Sequence, residues 1–203
     1  MVTAPKYTHL MPQLLDHAER ELSTVDNGKR SLKVMTTDQQ GLNDLLTTRG
    51  YAIVYREPIM TFDYAKGFFD RPLPEGFKVI SLEDDNDIRN IHTYLHQGFD
   101  HGPNPDDDLD CRLLMQSGPR FRKDLTTVIV APDGTYACFA GMWVEPENHY
   151  AYLEPLATVP QYRRLGLASI ALTEAMKKTV KEGAFYCVGA SSEIYTAMGF
   201  EHV

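Results

Sequence analysis

No stretch of this 203-residue sequence approaches the roughly 18 consecutive apolar residues of a membrane-spanning helix. The opening segment, Met1 to Leu10, lacks the apolar core of a secretory signal, so a cytoplasmic protein with no membrane partner is expected. Cysteine is scarce: Cys111, Cys138 and Cys187 are odd in number, far apart and not at metal-ligand spacing. That excludes a disulfide framework and a zinc cluster, and it predicts reduced thiols, each a small buried hydrophobe, with no metal. Basic residues are also short. Twenty Lys and Arg face 28 Asp and Glu, a net charge of −8, which argues against a nucleic-acid partner. What remains, 43% hydrophobic and 24% charged, is the composition of a globular domain.

The acidity is uneven. Residues 82–110 hold nine acids (Glu83, Asp84, Asp85, Asp87, Asp100, Asp106, Asp107, Asp108 and Asp110) against one base, Arg89. Such a concentration suits a cationic partner, or else forms a solvated loop.

The most informative stretch runs from Tyr152 to Ala168. Tyr152 to Val159 is mostly apolar or β-branched, as in a buried strand, and Pro160 ends it because it has no N–H for a ladder. Arg163 and Arg164 follow. Gly166 then opens a helix carrying Leu167, Ile170, Ala171, Ala175 and Val180. A basic, glycine-containing turn feeding a helix N-terminus reads as an anion site or as an ordinary connection with two solvated arginines.

Arg163 to Ala168 fits the Arg/Gln-x-x-Gly-x-Gly/Ala signature, and Tyr195 with Gly199 and Phe200 fits Tyr-x-x-x-Gly-Phe. In both motifs, and in their order, the sequence resembles the GNAT superfamily of acyl-CoA-dependent N-acyltransferases. The resemblance implies an α/β (α+β) fold with a mixed, mostly antiparallel twisted sheet flanked by helices, spanning 73–203. It implies acetyl-CoA as co-substrate. The backbone of Arg164, Leu165, Gly166, Leu167, Ala168 and Ser169 would hold the pyrophosphate beside Arg163, and the pantetheine arm would lie along the strand at Ala157, Thr158 and Val159. It implies Tyr195 as the group that approaches the sulfur. Two departures stand out: Ser191-Ser192 occupy the place of a common asparagine, and Arg164 stands where many members have glycine.

Amine acylation by a thioester also requires the amine to be neutral. Glu154, a lone carboxylate in an apolar strand, is the candidate base, with Glu145, Glu147 and His149 as alternatives. The acceptor expected is a small, cationic primary amine, bound by 83–118 and 135–150 with Trp143, Tyr150 and Tyr152. Two other readings stay open: acetylation of protein N-termini, and an acyl-CoA-binding or interaction domain without turnover.

Helices are expected at 10–22, from Asp38 as N-cap to 48, from Asp84 or Asp85 to 96, at 106–115 and at 191–198. Strands are expected at 31–35, 77–82, 125–131, 135–144 and 184–188, and a hairpin or kinked strand over 51–64. Helix, strand, helix and Gly-aromatic at 10–51 echo 167–200, so residues 1–70 read as a partial, degenerate first copy of the domain. Members usually carry two more strands after Gly-Phe. The 51–64 segment is expected to supply or cover that sheet edge, within the chain or by exchange in a homodimer.

Overall fold

The computed structural model describes residues 5–36, 40–190 and 192–203; Asp38 and Ser191 lie outside them. The chain forms two compact units, residues 1–56 and 57–203.

In the first unit, helix α1 (Met11–Glu21) is followed by strands β1 (Thr24–Asp26) and β2 (Lys29–Ser31) and by helix α2 (Gln40–Thr48). Met11, Leu15, Leu42 and Leu46 form its core. The two strands pair antiparallel across Asn27-Gly28, both at positive φ (49° and 75°), the backbone a tight hairpin demands. The strand expected at 31–35 therefore lies earlier and is half of a hairpin. All six strand residues are exposed, so no alternating apolar pattern marked them.

In the second unit, β3 (Met60–Asp63), β4 (Lys78–Ser81), α3 (Ile88–Gly98) and α4 (Asp110–Gln116) come first. Strands β5 (Thr127–Val130), β6 (Tyr136–Glu145) and β7 (Tyr150–Thr158) follow, then α5 (Leu167–Val180), β8 (Tyr186–Gly189), α6 (Glu193–Ala197) and β9 (Glu201–His202). Seven strands form one sheet in the order β4-β5-β6-β7-β8-β3-β9. Only β7 and β8 are parallel; the other neighbours are antiparallel. This is the mixed, mostly antiparallel sheet expected.

Helix α5 contributes Leu167, Ile170, Ala171, Leu172, Ala175 and Met176 to one core with Ile129, Cys138, Ala140 and Leu153. On the other face α3 packs Ile91 and Leu95 with Val128, Phe139 and Ala157. Neighbouring residues such as Val128 and Ile129 point to opposite cores, as a period of two requires. With both faces covered, β6 is buried almost throughout.

Several boundaries move. The cap of α3 is Asp87, whose carboxylate accepts from the N–H of Arg89 (2.9 Å) and Asn90 (3.0 Å). Asp84 instead accepts from the Ser81 N–H and hydroxyl, each at 2.8 Å. Residues 51–59 form no strand, and Ile53, Val54 and Tyr55 are exposed. Only Met60–Asp63 enters a sheet, between β8 and β9, where Met60 and Phe62 are buried. The division drawn near residue 70 thus falls after Arg56, because β3 is hydrogen-bonded into the second unit. Cys138 and Cys187 are buried free thiols, whereas Cys111 is exposed.

Candidate active site

Strand β7 pairs with β8 only over Tyr150, Ala151 and Tyr152. Beyond Tyr152 it continues beside β6 alone, so one backbone edge of Leu153–Thr158 opens into the sheet's interior gap. Strand parity decides which residues present hydrogen-bonding groups there. The Val159 N–H donates to Ala137 O at 3.0 Å, and the Val159 carbonyl accepts from the Tyr162 N–H at 2.9 Å. Residues two apart share a side, so Ala157, opposite Phe139, also turns its N–H and carbonyl to β6. Ala157 and Val159 therefore do not offer the free hydrogen bonds expected of them. Leu156 and Thr158 face the open edge, and Leu156 was missed because the apolar run hides its parity.

The strand ends in a short turn, Pro160–Tyr162. The Tyr162 hydroxyl donates to Asp133 Oδ2 (2.8 Å), and its ring meets Phe77 edge-on at 5.9 Å, pinning the turn. Arg164 (φ 69°) and Gly166 (φ 80°) both adopt the left-handed backbone. Among the described residues no backbone carbonyl accepts from the N–H groups of Arg164, Leu165, Gly166, Leu167, Ala168 or Ser169; the first helical bond is Ile170 N–H to Gly166 O, 3.2 Å. Six backbone N–H groups thus lack a backbone acceptor at the positive end of a 14-residue helix.

Arg163 does not add its charge to that row. Its Nε donates to Thr158 O (3.1 Å), and its Nη2 donates to Gly98 O (3.1 Å) and pairs with Asp100 (2.9 Å), clamping β7 to the end of α3. The cations left for an anion are Arg164, which has no partner among the described residues, and Arg71. Arg71 Nη1 lies 3.7 Å from where a Gly166 Cβ would stand. Nothing local in the sequence couples Arg71 to Gly166; tertiary structure brings them together.

Where β7 leaves β8, a cavity of about 270 Å³ is lined by Phe99, Arg112, Met115, Trp143, Tyr152, Glu154 and Pro155. Trp143 Nε1 donates to the Glu154 carbonyl at 2.9 Å. A register shift in β6 sets Gly141 against that carbonyl, where a Cβ would sit 2.6 Å from the oxygen, so only glycine fits. The Glu154 carboxyl has no ion pair among the described residues. Desolvation against the wall, and secondarily the charge of Glu57, hold it above the usual carboxylate range.

Tyr195, on α6, is buried with its ring 5.2 Å from that of Phe200 and against Gly189. Burial, followed by the nearby acidic groups of Cys187, Glu154 and Tyr152, pushes its phenol up to about 12. Tyr195 and Glu154 thus belong to one electrostatic neighbourhood, at the gap between β7 and β8.

Two of the alternative bases, Glu145 and His149, are engaged elsewhere, and Glu147 is not in the cavity lining. Glu145 pairs with Arg120 (2.6 Å) and accepts from the Glu147 N–H, and His149 stacks on Phe185 at 5.0 Å. Tyr150, expected at the substrate, stacks on Tyr186 at 5.7 Å. Segment 83–118 lines the cavity through Phe99, Arg112 and Met115, but none of its acids does. Asp84 and Asp87 serve the turns above, Asp100 holds Arg163, Asp106 lies 3.4 Å from His92, and Asp107 lies 3.1 Å from Arg89. Among the described residues no three His, Cys, Asp or Glu side chains are grouped to hold a metal, and no helix is long and apolar enough to cross a membrane.

A mixed sheet splayed between β7 and β8, with a free-amide loop at the strand's end, defines the N-acetyltransferase type of fold. Residues 92–200 match the acetyltransferase (GNAT) family, and the chain belongs to that family. Among solved structures it resembles a GCN5-related N-acetyltransferase from Sphaerobacter thermophilus: TM-score 0.64, 16% identity, 79% of this chain and 52% of that one. It also resembles a GCN5-related N-acetyltransferase from Kribbella flavida: TM-score 0.50, 15% identity, 80% of this chain and 60% of that one. A tandem GNAT protein from the clavulanic acid biosynthesis pathway gives a TM-score of 0.65 at 14% identity, over 99% of this chain and 70% of that one. The chain spans 52% of the Sphaerobacter protein's length, and at these identities the likeness is one of fold. No curated protein matches the chain in sequence.

Proposed function

We propose that the chain transfers an acetyl group from acetyl-CoA to the primary amine of a small molecule. One observation carries the reading: the six partnerless amides of Arg164–Ser169 stand at the end of a strand whose open edge leads back to Glu154. The residues fit the co-substrate. The amides, Arg71 and Arg164 would take the phosphates, and the backbone of Leu156 and the N–H of Thr158 the pantetheine amides, the Thr158 carbonyl being held by Arg163. Acetyl-CoA supplies the thioester: the amine nitrogen bonds to the acetyl carbon, the carbon–sulfur bond breaks, and CoA leaves as a thiolate.

Glu154 accepts the proton that the amine loses, a role its raised pKa suits. Tyr195 stays protonated across the working range and donates a hydrogen bond to the departing sulfur. A thiol's ordinary pKa, about 8.5, lies below that of this phenol, so the tyrosine keeps its proton and solvent neutralises the thiolate. The order of helix, hairpin and helix in residues 1–56, and the likeness to a tandem protein over nearly the whole chain, support reading the first unit as a partial copy of the domain.

Thiol release from acetyl-CoA with a panel of amines tests the reaction. Glu154→Gln is expected to lower kcat by about 10²–10⁴-fold with acetyl-CoA affinity unchanged. Unchanged turnover would remove Glu154 from the mechanism. Because Tyr195 titrates only near 12, the wild-type rate should show no fall at pH 9–10 from loss of the phenolic proton.

Arg71→Ser is expected to weaken acetyl-CoA binding about tenfold at low salt, with the difference shrinking at high salt. Isothermal titration at two ionic strengths checks it; equal affinities at low salt would exclude Arg71 from the site.

A further inference from the structure

Within the second unit four of the seven arginines form ion pairs. Arg89 holds Asp107, Arg120 holds Glu145, Arg122 holds Asp124 and Glu182, and Arg163 holds Asp100. Of the other three, Arg71 and Arg164 stand at the loop of free amides, and Arg112 is the one with a buried, partnerless nitrogen among the described residues. It projects from α4 to the cavity, its Nε is buried without a partner, and it forms no ion pair among the described residues. A buried guanidinium N–H without an acceptor is costly unless a ligand supplies one.

The opposite charge in the same lining is Glu154, and among the described residues no ion pair joins the two. The rest of the lining is largely apolar: Phe99, Met115, Trp143 and Pro155, with Tyr152. The lining thus holds one acceptor for an ammonium or amine, the Glu154 carboxyl, and one planar fork of donors, Arg112, among apolar walls. At about 270 Å³ it lies just under the range for drug-sized ligands, which sets the scale at a single small molecule.

Resting on the acetyl-transfer reading, we infer that the acceptor is an amino carboxylate with an apolar side chain, its carboxylate held by Arg112 and its amine presented to Glu154. A guanidinium matches a carboxylate with two parallel hydrogen bonds, which fixes orientation as well as affinity. The apolar walls then take the side chain. The charge excess of residues 82–110 plays no part in this recognition, since none of those acids lines the cavity.

Trp143 is the chain's one tryptophan and lines the cavity, so its emission reports occupancy directly. The full-length chain, alone and with CoA, is titrated with three matched pairs: phenylalanine and phenethylamine, leucine and isoamylamine, methionine and 3-(methylthio)propylamine. In at least one pair the amino acid is expected to bind about 10- to 100-fold more tightly than the amine lacking the carboxylate. Arg112→Gln should bring that pair to within about threefold by weakening the amino acid alone, and Arg112→Lys should recover part of the difference. Unfolding curves of the variants show whether they remain folded, and the wild-type comparison does not depend on them.

Equal binding within every pair, no emission response to any amino acid, or discrimination that survives Arg112→Gln would overturn the inference. Thiol release measured with the same pairs separates it from the reading beneath it. Discrimination in binding without thiol release would keep the carboxylate site and defeat acetyl transfer. Thiol release that ignores the carboxylate would do the reverse.

Discussion

Gly166→Glu removes the thermal stabilisation that acetyl-CoA confers on the wild-type chain. At a ligand concentration of 100 times Kd the wild type should gain about 2.7 kcal/mol. For a chain of this size that is a rise of roughly 5–10 °C in Tm. The physical reason lies in the loop. Gly166 adopts φ 80° beside the partnerless amides, and the nearest atom to its missing Cβ is Arg71 Nη1. A glutamate there places a carboxylate in the anion's position, competes for Arg71 and Arg164, and strains the left-handed backbone by about 1–2 kcal/mol. The variant should melt a few degrees lower without ligand and respond to acetyl-CoA by less than about 1 °C. Arg164→Gly is the contrasting change. Its φ of 69° already suits glycine, so the loop keeps its shape while one free cation is lost. A full ligand shift in Gly166→Glu would show that the loop does not hold the co-substrate.

Truncation at two nearby points should give opposite results. Removing residues 1–56 leaves the second unit with its sheet and both of its cores, and a cooperative melt is expected. Removing residues 1–66 also deletes β3, which lies between β8 and β9. Buried Met60 and Phe62 go with it, each contributing about 1.5–3 kcal/mol, and so do the ladder hydrogen bonds of two neighbours. The Phe62 ring also packs at 5.4 Å from Phe200, which itself packs on Tyr195. The combined loss is comparable with a domain's whole stability of about 5–15 kcal/mol, and it leaves an open strand edge. The longer deletion should therefore aggregate or melt without cooperativity, as read by circular dichroism and gel filtration. A soluble product melting like the shorter deletion would mean that β3 is dispensable.

The sequence by itself determined what depends on neighbours along the chain. Seventeen contiguous residues specify the end of β7, its proline, the glycine turn and the start of α5, because each acts within a few positions of the next. The same locality made Tyr195 and Gly199-Phe200 recognisable, and it made the fold class legible from alternating strand and helix patterns. Other features depend on which surfaces meet, and only the tertiary structure decided those. Parity along β7 is set by pairing with β6, so the backbone edge presented at the gap belongs to Leu156 and Thr158 instead of Ala157 and Val159. Arg163 faces Asp100 and a helix end, which turns an expected anion ligand into a clamp. Arg71 reaches Gly166, Arg112 reaches the cavity of Glu154, and a four-residue strand from far upstream enters between β8 and β9. Charge counted along the chain suggested an acidic pocket, but charge acts through distance in space. There the acids serve caps and ion pairs, and the cavity holds one acid and one base.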